Sequence, residues 1–446
     1  MTSKKVAVIG AGVMGLATAY YLSKSGYKVT VLESEKDIGG MAVSFDFDGI
    51  DIERFYHFHC TSDYDYFEML EELGLSDKLH WKSTSMGFWF NNKLQPWGNP
   101  IALLKFRGLG LIAKFRYGLH AFSSVKRNKY DDLDKMESTS WIKKWVGKEA
   151  WDKLWSNLFS LKFYEYSDKL SAAWIWSRIR RIGRSRYNLF KEKLGYLEGG
   201  SKPLIMGMAD TIINNKGHIY SNSLVKKVLK NSNGTYSLDI DLTKSIAYSK
   251  DSPVLSDTNF DFVVSTIPLP YIPSIFNFIN KEAHEKFAKT INIGVVCIIV
   301  KLSKALTNNF WLNTNDPDMD IPGIIEYSNL NPCNGEHIVY VPYYMPTTTS
   351  IYNDSDDIYK AKIKNYFKKI NPELQDSDFK NIVISRYKCA QPICGPEYLK
   401  TIPQIKIDGE NVFIADTSYY YPEDRGVSEG IKIAKTIKGL IDAEAK

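Results

Sequence analysis

Apolar and polar positions follow two different periods along this chain, and the points where the period changes mark its elements. Lys5-Val6-Ala7-Val8-Ile9 is a short, mostly β-branched run, the pattern of a strand buried on both faces. Leu16, Ala17, Ala19, Tyr20 and Leu22 then recur at helical spacing, and Gly26 stops that pattern. Residues 27–32 return to a strand. Residues 45–53 alternate about Gly49, and 88–97 about Asn91-Asn92, so each predicts a hairpin. Tyr66, Phe67, Leu70 and Leu73 form a stripe that predicts a helix over 63–75. Further helices are predicted over 139–163, 172–193, 203–214, 354–369 and 427–443. Strands are predicted at 217–220 and 224–228, with 236–242 and 260–266 finishing the first sheet. A nearly continuous apolar strand covers 293–302, and others fall at 323–327, 337–342 and 382–387.

The first strand and helix enclose Gly10-Ala11-Gly12-Val13-Met14-Gly15, and the second strand closes on Glu33. This order is that of a dinucleotide-binding unit. Gly10 allows the tight turn, Gly12 lets the backbone approach a pyrophosphate at the helix N-terminus, and Gly15 lets helix and strand pack closely. Glu33 is placed to accept hydrogen bonds from ribose hydroxyls, and its charge disfavours a 2′-phosphate.

Two stretches narrow the choice of dinucleotide. Glu33 continues through a short loop into Gly39-Gly40-Met41-Ala42. Near the other end, the strand at 411–415 runs into Asp416, then Tyr419-Tyr420-Tyr421-Pro422, then Gly426 and a helix from Val427. In these pieces the chain resembles the FAD-dependent amine oxidase and phytoene desaturase superfamily, which includes protoporphyrinogen oxidases. The resemblance implies FAD as cofactor. It places Gly39, Gly40 and Met41 against the flavin diphosphate and the Val225 backbone at the adenine. Asp416 would meet the ribityl-diphosphate region, with Gly426 and Val427 opening a helix toward the flavin. Tyr420 becomes a candidate substrate contact. The implied fold class is α/β, with a Rossmann-like FAD-binding domain of the GR2 type interleaved with an α+β substrate-binding domain. Residues 1–90, 196–268 and 409–446 would build the first domain, 269–408 the second, and 91–195 a mostly helical substrate or lid region.

His57 and His59, two apart in an extended segment, should face one side. His57 is then a candidate general acid or base beside the flavin, the alternative being a pair of histidines that bond backbone groups. Tyr56-His57-Phe58-His59-Cys60-Thr61 also resembles the His-x-Phe-His-Thr segment of UDP-galactopyranose mutases, which use reduced FAD on nucleotide sugars without net redox. Amine oxidases of the superfamily commonly carry a lysine on a substrate-domain strand, and a hand register puts Val296 at that position, with Lys301 nearby. This departure disfavours simple amine oxidation. Arg180, Arg181 and Arg184 fall on one helical face and are candidates to hold a phosphate-bearing substrate, the alternatives being a solvated face paired with acids or a membrane-facing strip.

Composition adds limits. There are 57 Lys and Arg against 51 Asp and Glu, a net charge of +6, too mild to indicate a nucleic-acid partner. Five cysteines without a CxxC pair, and no leader before the first strand, predict a reduced, cytoplasmic protein. No metal site is expected, since His57 and His59 lack a third ligand at suitable spacing. Residues 101–129 mix large apolar residues with Lys and Arg and predict basic amphipathic helices. These either pack as a lid on their own protein or touch a membrane peripherally. The expected function is an FAD-dependent oxidoreductase acting on a bulky small-molecule or lipid-linked substrate that is partly apolar or bears phosphate. Oxygen or a quinone is the expected electron acceptor, and oligomeric state is left open.

Overall fold

In the computed structural model, which describes residues 4–249, 252, 255 and 259–445, two sheets organise the chain. The first has six strands in the order Ile246–Ala247, His218–Ser221, Lys28–Leu32, Lys5–Ile9, Phe262–Ser265, Val412–Ile414. All neighbours are parallel except the Ile246–Ala247 edge. Val6, Val8, Val29 and Val31 bury one face of this sheet under the Val13–Lys24, Lys202–Asn214 and Val427–Glu444 helices. Ala7, Ile9 and Leu32 bury the opposite face, and this two-sided burial is why these strands read as unbroken apolar runs.

The second sheet has seven strands in the order Phe379–Pro392, Asn292–Leu302, His337–Met345, Gly323–Glu326, Trp311–Asn315, Met86–Phe90, Lys93–Trp97. Strand Asn292–Leu302 is buried along nearly its whole length, but its side chains serve two cores. Val296, Ile298 and Val300 meet Tyr359, Ile363 and Phe367 of the Asp356–Ile370 helix. Val295, Cys297 and Ile299 face the other way, toward Phe55 and Tyr340. Asn91 and Asn92 take positive φ angles, 50° and 57°, as a two-residue hairpin turn requires.

Four expectations need correction. The 1–90 boundary cuts through the Met86–Phe90 strand, which belongs to the seven-stranded sheet with its hairpin partner. Tyr236–Asp241 does not finish the first sheet but pairs with Leu224–Lys230 and Asn259–Phe260 in a separate three-stranded sheet. The helix predicted over 172–193 stops at Arg184: the Ser185 N–H donates to the Arg181 and Ile182 carbonyls, and Lys193 N–H returns to the Ser185 carbonyl. The 139–163 helix is broken at Gly147 (φ 79°) and passes through a wide turn at Trp151–Trp155.

The helical layer over the second sheet contains the Leu111–Lys126, Ser138–Ala150 and Ala172–Arg184 helices. Among the described residues no helix is long and apolar enough to cross a membrane. His120 lies buried in this layer, its ring 4.6 Å from Trp141 and 5.8 Å from Trp145, with Nε2 unpartnered. Burial pushes its pKa down to about 4. The unfolded chain therefore binds a proton that the folded chain refuses as pH falls from about 6.5 toward 4. Stability is full above that window and drops by up to about 3 kcal/mol across it. Thermal midpoints measured from pH 7 to 4.5 should fall more steeply for the wild type than for His120→Phe; parallel curves would refute this.

Candidate functional site

The glycines at the head of the first helix fall into two kinds. At Gly15 a Cβ would lie 2.0 Å from the Gly10 carbonyl oxygen, so protein packing alone demands glycine. Gly10 has φ +100°, which the turn requires, and its N–H donates to the Leu32 carbonyl at 2.8 Å. Gly12 differs. Its φ of −68° suits any residue, and a Cβ there would meet nothing nearer than the Gly40 Cα at 4.0 Å. Neither backbone nor packing needs a glycine at Gly12, so the open space above it serves something outside the chain. Gly39 and Gly40, both at positive φ, bring the second loop onto this turn, and Gly39 N–H donates to the Ala11 carbonyl at 2.8 Å.

Around this cradle the predicted cofactor residues assemble. Glu33 is buried and accepts from Ala11 N–H at 2.7 Å and Glu35 N–H at 2.9 Å. Ser223 N–H donates to the Glu33 carbonyl, which fixes Val225 beside the same edge. Gly426 starts the Val427–Glu444 helix without a side-chain cap, and a Cβ on Gly430, one turn later, would lie 3.7 Å from Met14 N. Two helix N-termini thus adjoin over the glycine turn, a setting that favours anionic phosphate. Asp416 accepts from Leu269 and Ser418 N–H groups, and burial raises its pKa. Met41 packs toward the second sheet's core. The Gln391 side chain is fully buried with neither amide atom partnered. These groups fit a bound dinucleotide carrying a heteroaromatic ring: open space over Gly12, two helix starts without capping side chains, and a buried amide still lacking partners. Tyr420 Oη lies against Gly430, near the start of the last helix.

The histidine segment alternates as its spacing predicts. His57 Nδ1 lies 3.4 Å from Glu53 Oε1, and Glu53 also accepts from Ser201 N–H at 2.9 Å. Burial raises the Glu53 carboxyl, but His57 and Ser201 outweigh it and leave the pKa lowered. His59 stacks on Tyr66 at 3.9 Å, 3.8 Å from Asp63, and burial lowers its pKa. Tyr56 and Phe58 project to the opposite side, stacked on each other and set against Phe310, Trp311 and Tyr340.

That aromatic wall borders a charged cluster that sequence reading missed. Arg425 Nη2 donates to Tyr344 Oη at 2.9 Å, and its Nη1 donates to the Ala390 carbonyl. Arg178 pairs with Asp424 at 2.5 Å. Half-buried Lys162 has its Nζ 4.8 Å from the Tyr344 ring centre and no hydrogen-bond or ion-pair partner among the described residues. Burial, reinforced by Arg178, pushes its amine down to about 7. Burial drives the Tyr56 phenol well up, with Tyr344 adding and Arg425 opposing. The available signals were a lone lysine in the apolar stretch 158–163 and an arginine next to Gly426. Val296 needs correction: it points into the core away from Tyr56, and Cys297 holds the facing position. Lys301 shares that face but is four residues further on, 3.1 Å from Glu336.

The arginine face is engaged within the protein. Arg181 holds Asp63 with two contacts to Nη2, 2.8 and 3.1 Å. Arg184 donates to the Val125 carbonyl and Asn128, and Arg180 lies 3.6 Å from Glu423. Glu429, beside Arg181, is raised to about 7 by burial. An open cavity of about 450 Å³ between the Met86–Trp97 hairpin and the loop carrying Arg186 and Glu192 touches none of the predicted site residues. Among the described residues no group of His, Cys, Asp or Glu could hold a metal ion.

Comparison with known proteins agrees with this geometry. The chain is 24% identical over 339 residues to 15-cis-phytoene desaturase of Arabidopsis thaliana, covering 69% of this chain and 55% of that protein. It is 32% identical over 157 residues to mitochondrial protoporphyrinogen oxidase of Nicotiana tabacum, covering 34% of this chain and 31% of that one. The chain thus spans about half, or less, of the length of these relatives. Cyclohexylamine oxidase from Brevibacterium oxydans shares the fold, with a TM-score of 0.72 at 12% identity over 99% of both chains. The description "flavin containing amine oxidoreductase" matches residues 14–417. The chain belongs to the family of flavin-containing amine oxidoreductases, and FAD is its cofactor.

Proposed function

We propose that this chain uses FAD to accept an electron pair from a bulky, partly apolar molecule bearing an acidic group. The observation that carries the reading is the charge balance beside the aromatic wall: Lys162, Arg178 and Arg425 surround a single carboxylate, Asp424. Burial raises that carboxyl, but Arg178, Arg425 and Lys162 outweigh it and hold it well below the ordinary range. Arg178 is committed to Asp424 and Arg425 to Tyr344 and Ala390, which leaves Lys162 to meet an anion from outside. Bound FAD supplies the electron acceptor. The chain orients the substrate and keeps water out. Tyr56, Phe58 and Trp311 offer a partly exposed aromatic wall, backed by buried Tyr340, and His57, set against Glu53, would take up a proton. Relatives named for phytoene and protoporphyrinogen are in keeping with a large substrate. Simple amines are disfavoured, because Cys297 faces Tyr56 where a lysine was sought. A nucleotide-sugar mutase finds no support in Arg180, Arg181 and Arg184, whose guanidinium groups already have acids or carbonyls.

The cofactor reading is tested by two glycines. Gly12→Val should fold with an unchanged thermal midpoint in the apo form yet show no flavin absorbance band. Gly15→Val should lose the fold itself, since its Cβ would collide with the Gly10 carbonyl. A yellow Gly12→Val protein would refute the cradle.

The substrate reading needs a screen of isoprenoids, lipid-linked sugars, nucleotide sugars and amines for bleaching of oxidised flavin. For an acidic substrate so found, Lys162→Met should raise KM about tenfold or more, since a charged contact contributes roughly 1.5–3 kcal/mol. The wild-type KM should rise as pH climbs through about 7, where the amine loses its proton, and the variant should lose that dependence. An unchanged KM would remove Lys162 from the site. His57→Asn should lower turnover by about 10²–10⁴ with flavin content intact; full turnover would return His57 to a structural role.

A further inference from the structure

The Leu111–Lys126 helix is inverted relative to an ordinary surface helix. Its buried residues are Ala113, His120 and Ser124, while Leu111, Ile112, Phe115, Leu119 and Phe122 are 46% to 79% exposed. These five side chains span only about 100° of the helix, opposite the packed face. Ile101 and Leu104 of the adjoining Pro100–Lys105 helix are also exposed, and Lys114 ties the two helices by donating to the Leu104 carbonyl at 2.7 Å. Among the described residues these side chains stay exposed, so the stripe does not pack as a lid on its own chain. A continuous exposed apolar face of this size marks an interaction surface.

The charge around the stripe indicates what covers it. Between residues 79 and 130 the chain has no Asp or Glu, whereas Lys105, Arg107, Lys114, Lys126 and Lys129 surround or flank the two helices. Lys126 lies over the Phe122 ring, 5.8 Å from its centre. Of the acids beyond the two helices, Glu149 is paired with Lys153 and Asp132 with Arg127. A second copy presenting the same surface would bring like charges together around the apolar contact. A lipid bilayer with anionic headgroups answers both features: acyl chains take the apolar stripe and headgroups take the rim. We propose that the Pro100–Lys105 and Leu111–Lys126 helices dock this protein in the plane of an anionic membrane surface, without crossing it.

Vesicle co-sedimentation of the FAD-loaded chain tests this. Protein should bind vesicles of phosphatidylcholine with about one third phosphatidylglycerol, and much less to phosphatidylcholine alone. Raising salt to about 0.5 M should weaken binding severalfold. Leu111→Ser, Phe115→Ser and Phe122→Ser together should cut binding about tenfold or more while flavin content and thermal midpoint stay unchanged. Lys105→Gln with Lys126→Gln should lower binding to the anionic vesicles only. Wild-type protein left in the supernatant with both vesicles overturns the proposal. So does binding that the serine variant retains, or binding equal on the two compositions. Concentration-dependent dimerisation lost in the serine variant, measured by light scattering without vesicles, would assign the face to a second copy instead.

Discussion

The architecture depends on one close approach between backbones. Gly15 lets the first helix pass within contact of the Gly10 carbonyl, and Gly39 and Gly40 let the following loop lie against Gly12. If Gly15 or Gly40 carried a Cβ, the helix start would move, and with it the N–H groups that point into the cradle. The parallel sheet follows from the same contact. Thr266 Oγ1 reaches the Ile9 and Gly10 carbonyls, so the fifth strand's exit is keyed to the glycine turn. Leu269 then donates to Asp416, which links that exit to the sixth strand and the last helix. Segments from both ends of the chain converge at one point because each must find its place against an unsubstituted backbone.

Interleaving of the two sheets follows. The chain leaves the first sheet after Glu33, contributes the Tyr56 segment to the core of the second, and returns through the Gly199-Gly200 turn. That turn lets Ser201 N–H reach Glu53, while Tyr340 Oη donates to the Glu53 carbonyl. Glu53 therefore joins the histidine segment, the cofactor domain and the second sheet. Its buried carboxylate would be costly alone, and it is tolerated because His57 and the Ser201 N–H supply partners, while Tyr340 holds its main chain.

What could be read from the residues was local. Strand, turn and helix at 5–32, the Asn91-Asn92 hairpin and the start of the last helix each depend on neighbours within a few positions. Side-chain facing on the Asn292–Leu302 strand was not readable, because both faces are apolar and a slip of one residue turns every side chain to the other side. Val296 and Cys297 exchanged roles for that reason. The arginine partners were unreadable for another reason. Arg181 meets Asp63, Arg178 meets Asp424 and Arg180 meets Glu423, acids more than a hundred residues away. Arginine spacing reveals a shared helical face but not what the rest of the fold lays against it.

Those pairs make the arginine helix a link between the aromatic wall and the outer surface. A buried bidentate pair such as Arg181–Asp63 costs about 3–5 kcal/mol to break from one side, so it fixes the Ala172–Arg184 helix firmly against the histidine segment. From the same helix, Trp176 Nε1 donates to the Ser124 carbonyl at 2.9 Å and Arg184 donates to the Val125 carbonyl at 3.0 Å. Both acceptors lie in the last turn of the inverted Leu111–Lys126 helix. The inner edge of this helical layer is thus pinned beside Tyr56 and Phe58, while its outer edge presents the exposed apolar stripe. An apolar molecule arriving at that stripe would meet a layer whose other side borders the aromatic wall, so the proposed surface docking and the proposed substrate capture would be joined through one helix.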